Sequence, residues 1–160
     1  MRTEPCKGLE HFLKFPYLQI WEIGNSSGLR ISDIITLKVE QLYVEKPTIK
    51  EQKTGKSKRI YIPKKTRLAL LAHCKECGRD EYVFKSKSKT GHITRQAVFK
   101  AFKKAGQQAN VKNNVGTHTM RKNYALKQFS KEHDLKFVQD KLNHAHLSDT
   151  VLYLLNGKEQ

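Results

Sequence analysis

The sequence predicts a mainly α-helical domain with a small antiparallel β-sheet, a fold of the α+β class. Apolar residues recur at helical spacing through most of the 160-residue chain. Between two such regions, the short segments 41–44, 48–52 and 59–62 lose the helical spacing and are typical of strands. The length suits one domain, and an apolar fraction of 38% is enough for a buried core.

Two helices are expected before the sheet. The first covers about residues 10–25, with an uncertain start because of Pro16, and a turn at 26–28 ends it. The second begins near Ser32, whose hydroxyl suits an N-cap. Its apolar residues fall on or near one buried stripe: Ile31, Ile34, Ile35 and Leu37.

The sheet is predicted to carry a basic hairpin. Its last two strands flank the segment 53–57, K-T-G-K-S. Pro63 closes the sheet and suits the first turn of a helix over about 64–73. After that helix, 82–84 is expected to be a short buried strand or extended segment, and 85–91 a mobile basic loop.

Four further helices, all after the basic loop, complete the predicted fold. Residues suited to begin or cap them are Thr94, Thr117, Asp134 and Ser148. The first of the four ends near Gln108 and is expected to bury Val98, Phe99 and Phe102. The last is predicted to be short.

The charge balance points to a polyanionic partner. Lys and Arg total 31 against 15 Asp and Glu, a formal net charge of +16. Self-repulsion of that size opposes compaction, so a nucleic acid is the natural counterpart. An anionic membrane is disfavoured because no stretch forms one long basic amphipathic helix. Without an apolar run of about 20 residues or a secretory leader, a cytoplasmic location is expected.

The cysteines do not predict a disulfide framework or a metal centre. There are three in the chain, and an odd number does not make a framework of pairs. Cys74 and Cys77 form a C-x-x-C, but zinc would need two further ligands, and only scattered histidines such as His73 and His92 are available. The pair falls at the end of a predicted helix, so we interpret it as a coincidence of position.

Two groups of residues suit phosphodiester chemistry without a metal. His118 and Arg121 are three residues apart at the start of a helix, so both project from one face towards the positive helix N-terminus. Arg30 lies between apolar neighbours and needs an anionic partner, which could be a phosphate or, as a purely structural ion pair, Asp33. The sequence lacks the carboxylate clusters of a two-metal nuclease.

These blocks, in this order, resemble the tyrosine recombinase (phage integrase) family. S-G-L-R-I-S-D around Arg30 is similar to the family's T-G-L-R-x-S-E, and Lys53 in Q-K-T-G-K matches its hairpin lysine. H-T-M-R matches its H-x-x-R, and L-N-H, ending at His144, matches its L-G-H. Tyr153 lies nine residues beyond His144, a spacing commonly seen in the family. The resemblance covers nearly all of the chain and implies the catalytic-domain fold of DNA breaking and rejoining enzymes.

The resemblance also implies a role for each matching residue. Tyr153 would be the nucleophile, forming a 3′-phosphotyrosyl link, and the phosphate would be held by two arginines, Arg30 and Arg121. Lys53 would protonate the leaving 5′-oxygen. His118 would act as general base or proton relay, and His144 would hydrogen-bond the phosphate. Because the bond energy is kept in the protein–DNA ester, neither a metal, ATP nor another cofactor is expected.

Some assignments have rivals within the sequence. His146 competes with His144, although spacing and context favour His144. Lys56 and Lys58 lie close to Lys53, which alone precedes Thr-Gly. Asn143 stands where the family usually has glycine, and we expect it at a helix C-terminus in the left-handed conformation that Asn tolerates.

Double-stranded DNA is the expected partner, with no membrane and no small-molecule substrate. The basic loop and the start of the following helix are expected to contact it, mainly through phosphates. The predicted DNA contacts are Lys56, Lys58, Lys85, Lys87, Lys89, Arg95 and Gln96.

The chain is expected to be a single catalytic domain over 1–160, without the N-terminal core-binding domain typical of the family. A longer integrase containing it would form a tetramer on DNA, whereas this domain alone would be a monomer. Two other functions stay open: a non-catalytic DNA-binding relative with an accessory role, and a type IB topoisomerase-like enzyme that relaxes supercoils.

Overall fold

Seven α-helices and one two-stranded sheet make up the part of the chain that the computed structural model describes, residues 6–112 and 114–158, with side chains through 155. This confirms the predicted mainly helical class with a small antiparallel sheet. The elements are α1 Tyr17–Ser27, α2 Ile31–Ile35, β1 Thr48–Lys50, β2 Ser57–Arg59, α3 Lys64–His73, α4 Arg95–Gln108, α5 Thr117–Glu132, α6 Leu135–Leu142 and α7 Leu147–Lys158. None of these helices has the length and apolar character needed to cross a membrane.

The first predicted helix is divided in two. Residues Leu9–Phe12 form a short 3₁₀ helix, and α1 begins only after Pro16. Proline lacks an N–H and crowds the preceding turn, so it is tolerated at a helix start but not within one. The prediction of one continuous helix over 10–25 was therefore wrong at its start.

A glycine turn joins α1 to α2. Gly28 ends α1 with φ 68°, in the left-handed region, and its N–H donates to the Gly24 carbonyl at 2.9 Å. A Cβ at Gly28 would lie 2.3 Å from Cδ1 of Tyr124, so the turn needs glycine for its space as well as for its φ. Ser32 was wrongly predicted as the N-cap of the next helix: Arg30 holds that position and Ser32 lies inside α2.

The segment 41–44 was wrongly predicted as a strand: 41–43 belong to a 3₁₀ helix over Val39–Tyr43, and Val44 follows it as the extended C-cap residue. Val39 and Leu42 are three residues apart, so they share one face of a 3₁₀ turn, and both are fully buried. Within the described residues the sheet consists of β1 and β2, paired antiparallel with Ile49 opposite Lys58.

The segment 82–84 is extended and buried, as predicted. The Val83 N–H donates to the Leu37 carbonyl at 2.9 Å, and Phe84 accepts from the Ile93 N–H at 2.8 Å. In α4, Val98 and Phe102 are buried but Phe99 is exposed, contrary to expectation. Phe99 follows Val98 directly, so it lies about 100° around the helix from it, at the side of the buried stripe.

Helix capping follows the sequence closely at two of the later helices. The Thr94 hydroxyl accepts from the Ala97 N–H at 3.2 Å, and the Asp134 carboxylate accepts from the first N–H groups of α6. Ser148 is a further correction, since α7 already begins at Leu147 and runs for 12 residues instead of being short.

The buried side chains form two clusters, and α5 contributes to both. The larger cluster includes Met120 of α5, whereas the smaller one contains Tyr124 and Ala125 of the same helix with Leu142 and Leu154 from α6 and α7. The part of α5 between Met120 and Tyr124, which carries Arg121, therefore lies where the two clusters meet.

Candidate active site

Arg121 lies at the centre of the candidate site and joins three parts of the chain. Its side chain is buried, with 3% of the residue exposed. Nη1 donates to the Gly28 carbonyl and Nη2 to the Leu142 carbonyl, each at 2.6 Å. The guanidinium therefore holds the glycine turn before Arg30 and the end of α6 before His144 against the start of α5.

The charge of Arg121 is not balanced by a direct ion pair in the described residues. Burial lowers its pKa, and the nearby charge of Arg30 lowers it further. An arginine stays protonated even so, and a buried cation held only by carbonyl oxygens attracts an anion strongly. A phosphate would supply that anion.

Arg30 has a partner that the sequence did not suggest. Its Nη1 contacts Oε2 of Glu51 at 2.7 Å, which rules out the structural ion pair with Asp33 considered above. Asp33 is buried and accepts instead from the Gln52 N–H at 3.0 Å. Burial raises the pKa of Asp33 above its usual range, against the effect of that hydrogen bond.

His118 and Tyr153 meet at the N-terminal end of α5. The Tyr153 hydroxyl donates to the backbone carbonyl of His118 at 3.4 Å, while the His118 side chain remains exposed. Desolvation lowers the His118 pKa, and the charges of Lys122 and Arg121 lower it further. The imidazole is therefore neutral near pH 7 and can accept a proton.

Tyr153 also packs against His144. The two rings are 5.6 Å apart, edge to face, and His144 Nδ1 shares a hydrogen bond of 2.9 Å with the Thr150 hydroxyl. Burial raises the Tyr153 pKa to about 12, although Arg121 and Arg30 oppose the shift. The resting tyrosine is therefore a neutral phenol, and it lies near two arginines and two histidines.

The rival His146 is exposed at the start of α7, where its backbone carbonyl accepts from Asp149. His144 is the histidine that contacts the tyrosine ring, so the geometry favours it for the site. Asn143 has φ 54° and ψ 35° at the end of α6, the left-handed conformation expected from the sequence.

The hairpin lysines divide into two groups. Lys53 and Lys56 are exposed, and Lys53 lies near enough to His118 and His144 for its charge to lower both pKa values. Lys58 points inwards: its ammonium donates to the Ser27 carbonyl at 2.7 Å. This contact gives the partly buried Lys58 a partner within the domain, and its contact with DNA stays a prediction from the sequence.

The remaining predicted DNA contacts lie outside this cluster. They are exposed in the loop after Phe84 and at the start of α4, and Lys85 forms an ion pair with Glu81. No hydrogen bond or ion pair among the described residues connects Arg121 to any of these side chains, which are Lys85, Lys87, Lys89, Arg95 and Gln96.

The C-x-x-C lacks the surroundings of a metal centre. Within 6–112 and 114–158, no three His, Cys, Asp or Glu side chains gather closely enough to hold a metal ion. Cys74 is buried, and desolvation raises its thiol pKa to about 11, with a further contribution from Cys77. A metal needs the thiolate, which this environment disfavours.

Two residues of the site were missed in the sequence. Thr150 orients His144, and Glu51, with no exposed surface, holds Arg30. Thr150 carried no signal beyond its place between His144 and Tyr153. Glu51 had a weak one, since a carboxylate directly before a basic hairpin suggests a local neutralising role.

The profile of the Phage integrase family matches residues 9–160. The chain belongs to the phage integrase family. The profile covers Arg30, Lys53, the His118–Arg121 pair, His144 and Tyr153, the same residues that mark the resemblance in the sequence.

Curated relatives of this phage integrase family member are recombinases by name. It is 30% identical over 132 residues to the probable integrase/recombinase YoeC of Bacillus subtilis, covering 82% of this chain and 72% of that protein. It is 33% identical over 132 residues to a tyrosine recombinase of Pseudothermotoga lettingae, covering 79% of this chain but 45% of that protein. The chain thus spans less than half the length of the second relative.

Solved structures of integrases and recombinases share the fold. The XerA recombinase superposes with a TM-score of 0.77 at 18% identity, covering 96% of this chain and 57% of that chain. The catalytic domain of bacteriophage HP1 integrase gives 0.65 at 18% identity, with 96% and 84% covered. The family domain here therefore has the fold of tyrosine recombinase catalytic domains, as the sequence predicts.

The partly buried Lys58 side chain should make the stability of this integrase-family domain depend on pH. Desolvation, then Arg121, lowers the Lys58 pKa from 10.5 to about 8. Between these values the unfolded chain keeps the proton that the folded one releases, so the free energy of unfolding rises with pH. We expect wild type to gain about 2 kcal/mol over Lys58→Met between pH 8 and 10.

Urea unfolding at several pH values measures this difference, and tyrosine titration cancels because both proteins share it. Lys56→Met is the matched control, since the exposed Lys56 side chain should show no such trend. A difference between wild type and Lys58→Met that stays flat over this interval would mean that Lys58 titrates normally.

Proposed function

We propose that this domain is the catalytic part of a tyrosine-type site-specific DNA recombinase, which cuts and rejoins DNA through a 3′-phosphotyrosyl intermediate. One observation carries the proposal: the Tyr153 phenol lies beside two histidines and near two arginines, one of them buried without a carboxylate partner among the described residues. Such a group of cations without clustered carboxylates suits a phosphodiester better than any other common substrate.

In the proposed reaction, the Tyr153 oxygen attacks the scissile phosphorus. The bond to the 5′-oxygen breaks, a 3′-phosphotyrosyl bond forms, and rejoining reverses these steps with a new 5′-hydroxyl. Arg30 and Arg121 bind the non-bridging oxygens, whose negative charge increases in the pentacoordinate transition state. Both guanidinium groups retain N–H donors beyond those used within the protein.

The proton transfers follow from the protonation states. Tyr153, with a pKa of about 12, enters the reaction as a phenol and must lose its proton during attack. The His118 imidazole is neutral, because its pKa is lowered. The backbone carbonyl of the same residue already accepts a hydrogen bond from the Tyr153 hydroxyl, so we assign His118 the role of base or relay. Lys53 donates the proton that the leaving 5′-oxygen needs, and His144 hydrogen-bonds the phosphate.

Double-stranded DNA is the proposed substrate. Solved structures of similar fold include the XerH recombinase bound to its difH substrate, with a TM-score of 0.77 at 19% identity, covering 99% of this chain and 50% of that chain. The net charge of +16 here would release many counterions on DNA binding, so affinity should fall steeply with salt. Exposed Lys56, the 85–89 lysines, Arg95 and Gln96 are proposed to contact the duplex.

The balance of the reaction requires neither a metal ion nor ATP, since each phosphodiester is exchanged for a phosphotyrosyl ester. A tetramer on DNA is proposed for the longer recombinase containing this domain, and a monomer for the domain alone. A cytoplasmic location remains a prediction from the sequence.

Covalent capture on randomised DNA tests the proposal for any target site. The protein is incubated in EDTA with duplexes that have a randomised centre and a nick beside it, so that cleavage releases a short strand and traps the intermediate. We expect denaturation-resistant adducts on selected sequences, with the DNA attached through its 3′ end to the α7 peptide that contains Tyr153.

The other outcomes separate the alternatives. DNA binding without any adduct would contradict catalysis and favour a non-catalytic DNA-binding relative. Adducts with no sequence preference, together with relaxation of supercoiled plasmid, would favour a type IB topoisomerase-like enzyme. Adducts that require added magnesium would contradict the metal-free mechanism.

A further inference from the structure

Glu51 is a buried carboxylate that contacts three separate parts of the candidate site. It has no exposed surface, although it directly precedes the exposed hairpin. Oε2 accepts from Arg30 at 2.7 Å and from the Thr54 hydroxyl at 3.1 Å. Oε1 accepts from the Asn143 side-chain amide at 3.1 Å.

Each contact belongs to a different block of the site. Arg30 is the first arginine of the proposed phosphate clamp. Thr54 follows Lys53, the proposed acid, in the hairpin. Asn143 precedes His144, the histidine that contacts Tyr153. A single side chain thus connects the clamp, the hairpin and the histidine turn.

The contacts explain why a carboxylate is tolerated there. A buried ionised carboxylate is costly unless it is paired and hydrogen-bonded, and both oxygens of Glu51 are satisfied. The nearby Asp33 does not share this task, since its Oδ1 binds a backbone N–H and its Oδ2 has no hydrogen-bond partner in the described part of the chain. Removing Glu51 would leave Arg30 without its ion pair and would free its side chain to rotate.

Asn143 contributes a contact that a glycine at the same position could not make. Glycine, which the family pattern usually has in L-G-H, suits the left-handed φ of 54° but has no side chain that could reach Glu51. Asparagine tolerates the same φ and adds an amide donor. Asn143, which departs from the family pattern, is therefore a direct hydrogen-bond partner of the buried Glu51 carboxylate.

We propose that Glu51 is a positioning residue, which orients Arg30 towards the scissile phosphate and ties the Lys53 hairpin and the His144 turn to it. The Glu51 contact occupies one nitrogen of the Arg30 guanidinium and leaves the remaining N–H groups in a fixed plane for the phosphate. The inference rests on the proposed function, because it concerns the same site.

Glu51→Gln tests the role with little change in shape, since glutamine is isosteric but removes the charge that holds Arg30. In single-turnover cleavage of a captured site, we expect a rate about 10- to 100-fold below wild type. Glu40→Gln, at an exposed carboxylate, is the matched control and should cleave at the wild-type rate. DNA affinity and thermal unfolding are measured on all variants.

A neutral linkage separates positioning of Arg30 from a general structural effect. A methylphosphonate at the scissile position lacks one charged oxygen, so an accurately placed guanidinium matters less. The gap between wild type and Glu51→Gln should then shrink to within about threefold. An equal loss on both linkages would show damage to the whole domain and would overturn the inference.

Exchanging the two side chains of the Glu51–Asn143 contact provides a rescue test. Asn143→Asp places a second carboxylate against Glu51, and repulsion should slow cleavage by at least about 10-fold. Glu51→Gln combined with Asn143→Asp restores one donor and one carboxylate, and should be faster than Asn143→Asp alone. No recovery, or a wild-type rate for Glu51→Gln on the phosphodiester, would overturn the inference. Absence of any adduct with the wild-type protein would instead refute the proposed function itself.

Discussion

Replacement of Tyr153 by phenylalanine is expected to abolish the covalent protein–DNA adduct and to leave DNA binding unchanged. The variant keeps the ring that packs at 5.6 Å from His144 and loses only the attacking oxygen. Among the described residues, no other side chain in the site is a nucleophile in a suitable position, so the rate should fall by at least about 10⁴-fold.

Stability should scarcely change in this variant. The lost hydrogen bond, to the His118 carbonyl, is long at 3.4 Å and accessible to water, so we expect a loss within about 0.5 kcal/mol. Adduct formation is followed by denaturing electrophoresis, and stability by urea unfolding. Tyr124→Phe is the matched control, because it removes a hydroxyl from a second tyrosine, which is buried near the glycine turn. An adduct that persists in Tyr153→Phe would refute the assignment of the nucleophile.

Arg121→Lys should damage both chemistry and folding, although it preserves the charge. The guanidinium spans two carbonyls, those of Gly28 and Leu142, through separate nitrogens, and its planar fork leaves donors for a phosphate. A single ammonium cannot reach both carbonyls and the phosphate at once. We expect single-turnover cleavage to fall by about 10³-fold.

The same substitution should lower the free energy of unfolding by about 2–4 kcal/mol, because at least one buried carbonyl loses its donor. Single-turnover kinetics and urea unfolding give the two quantities independently. Lys127→Met, at an exposed position of α5, is the control for changes of charge on the same helix. Normal stability with impaired cleavage would mean that Arg121 serves the phosphate alone and does not hold the three blocks together.

Local signals in the sequence predicted many of the helix boundaries. Thr94 and Asp134 cap α4 and α6 because a side-chain oxygen near a helix start can satisfy N–H groups of its own first turn. Such contacts depend on residues two or three positions apart and need no information about the rest of the fold. The prediction of a strand at 41–44 was wrong because the apolar spacing there fits a 3₁₀ turn as well as a strand. The 3₁₀ helix begins at Val39, where the N–H groups of Val39 and Glu40 donate to the carbonyls of Glu81 and Arg79.

The charge, the motif order and the residue spacings were enough to predict the residues of the candidate site from the sequence alone. A surplus of +16 indicated a polyanion, and Arg30, Arg121, His144 and Tyr153 could be named from their contexts. Spacing on a helix also placed His118 and Arg121 on one face, because the helical repeat is a local property.

Only the tertiary structure decided which charges meet. Arg30 pairs with Glu51, 21 residues away, instead of the nearby Asp33, and Arg121 binds the Gly28 carbonyl across 93 residues. It also decided that Lys58 turns inwards while Lys53 faces solvent, although both lie in one basic hairpin. The physical reason is that burial and ion pairing depend on how α1, α5 and the hairpin pack, and no local pattern encodes those distances.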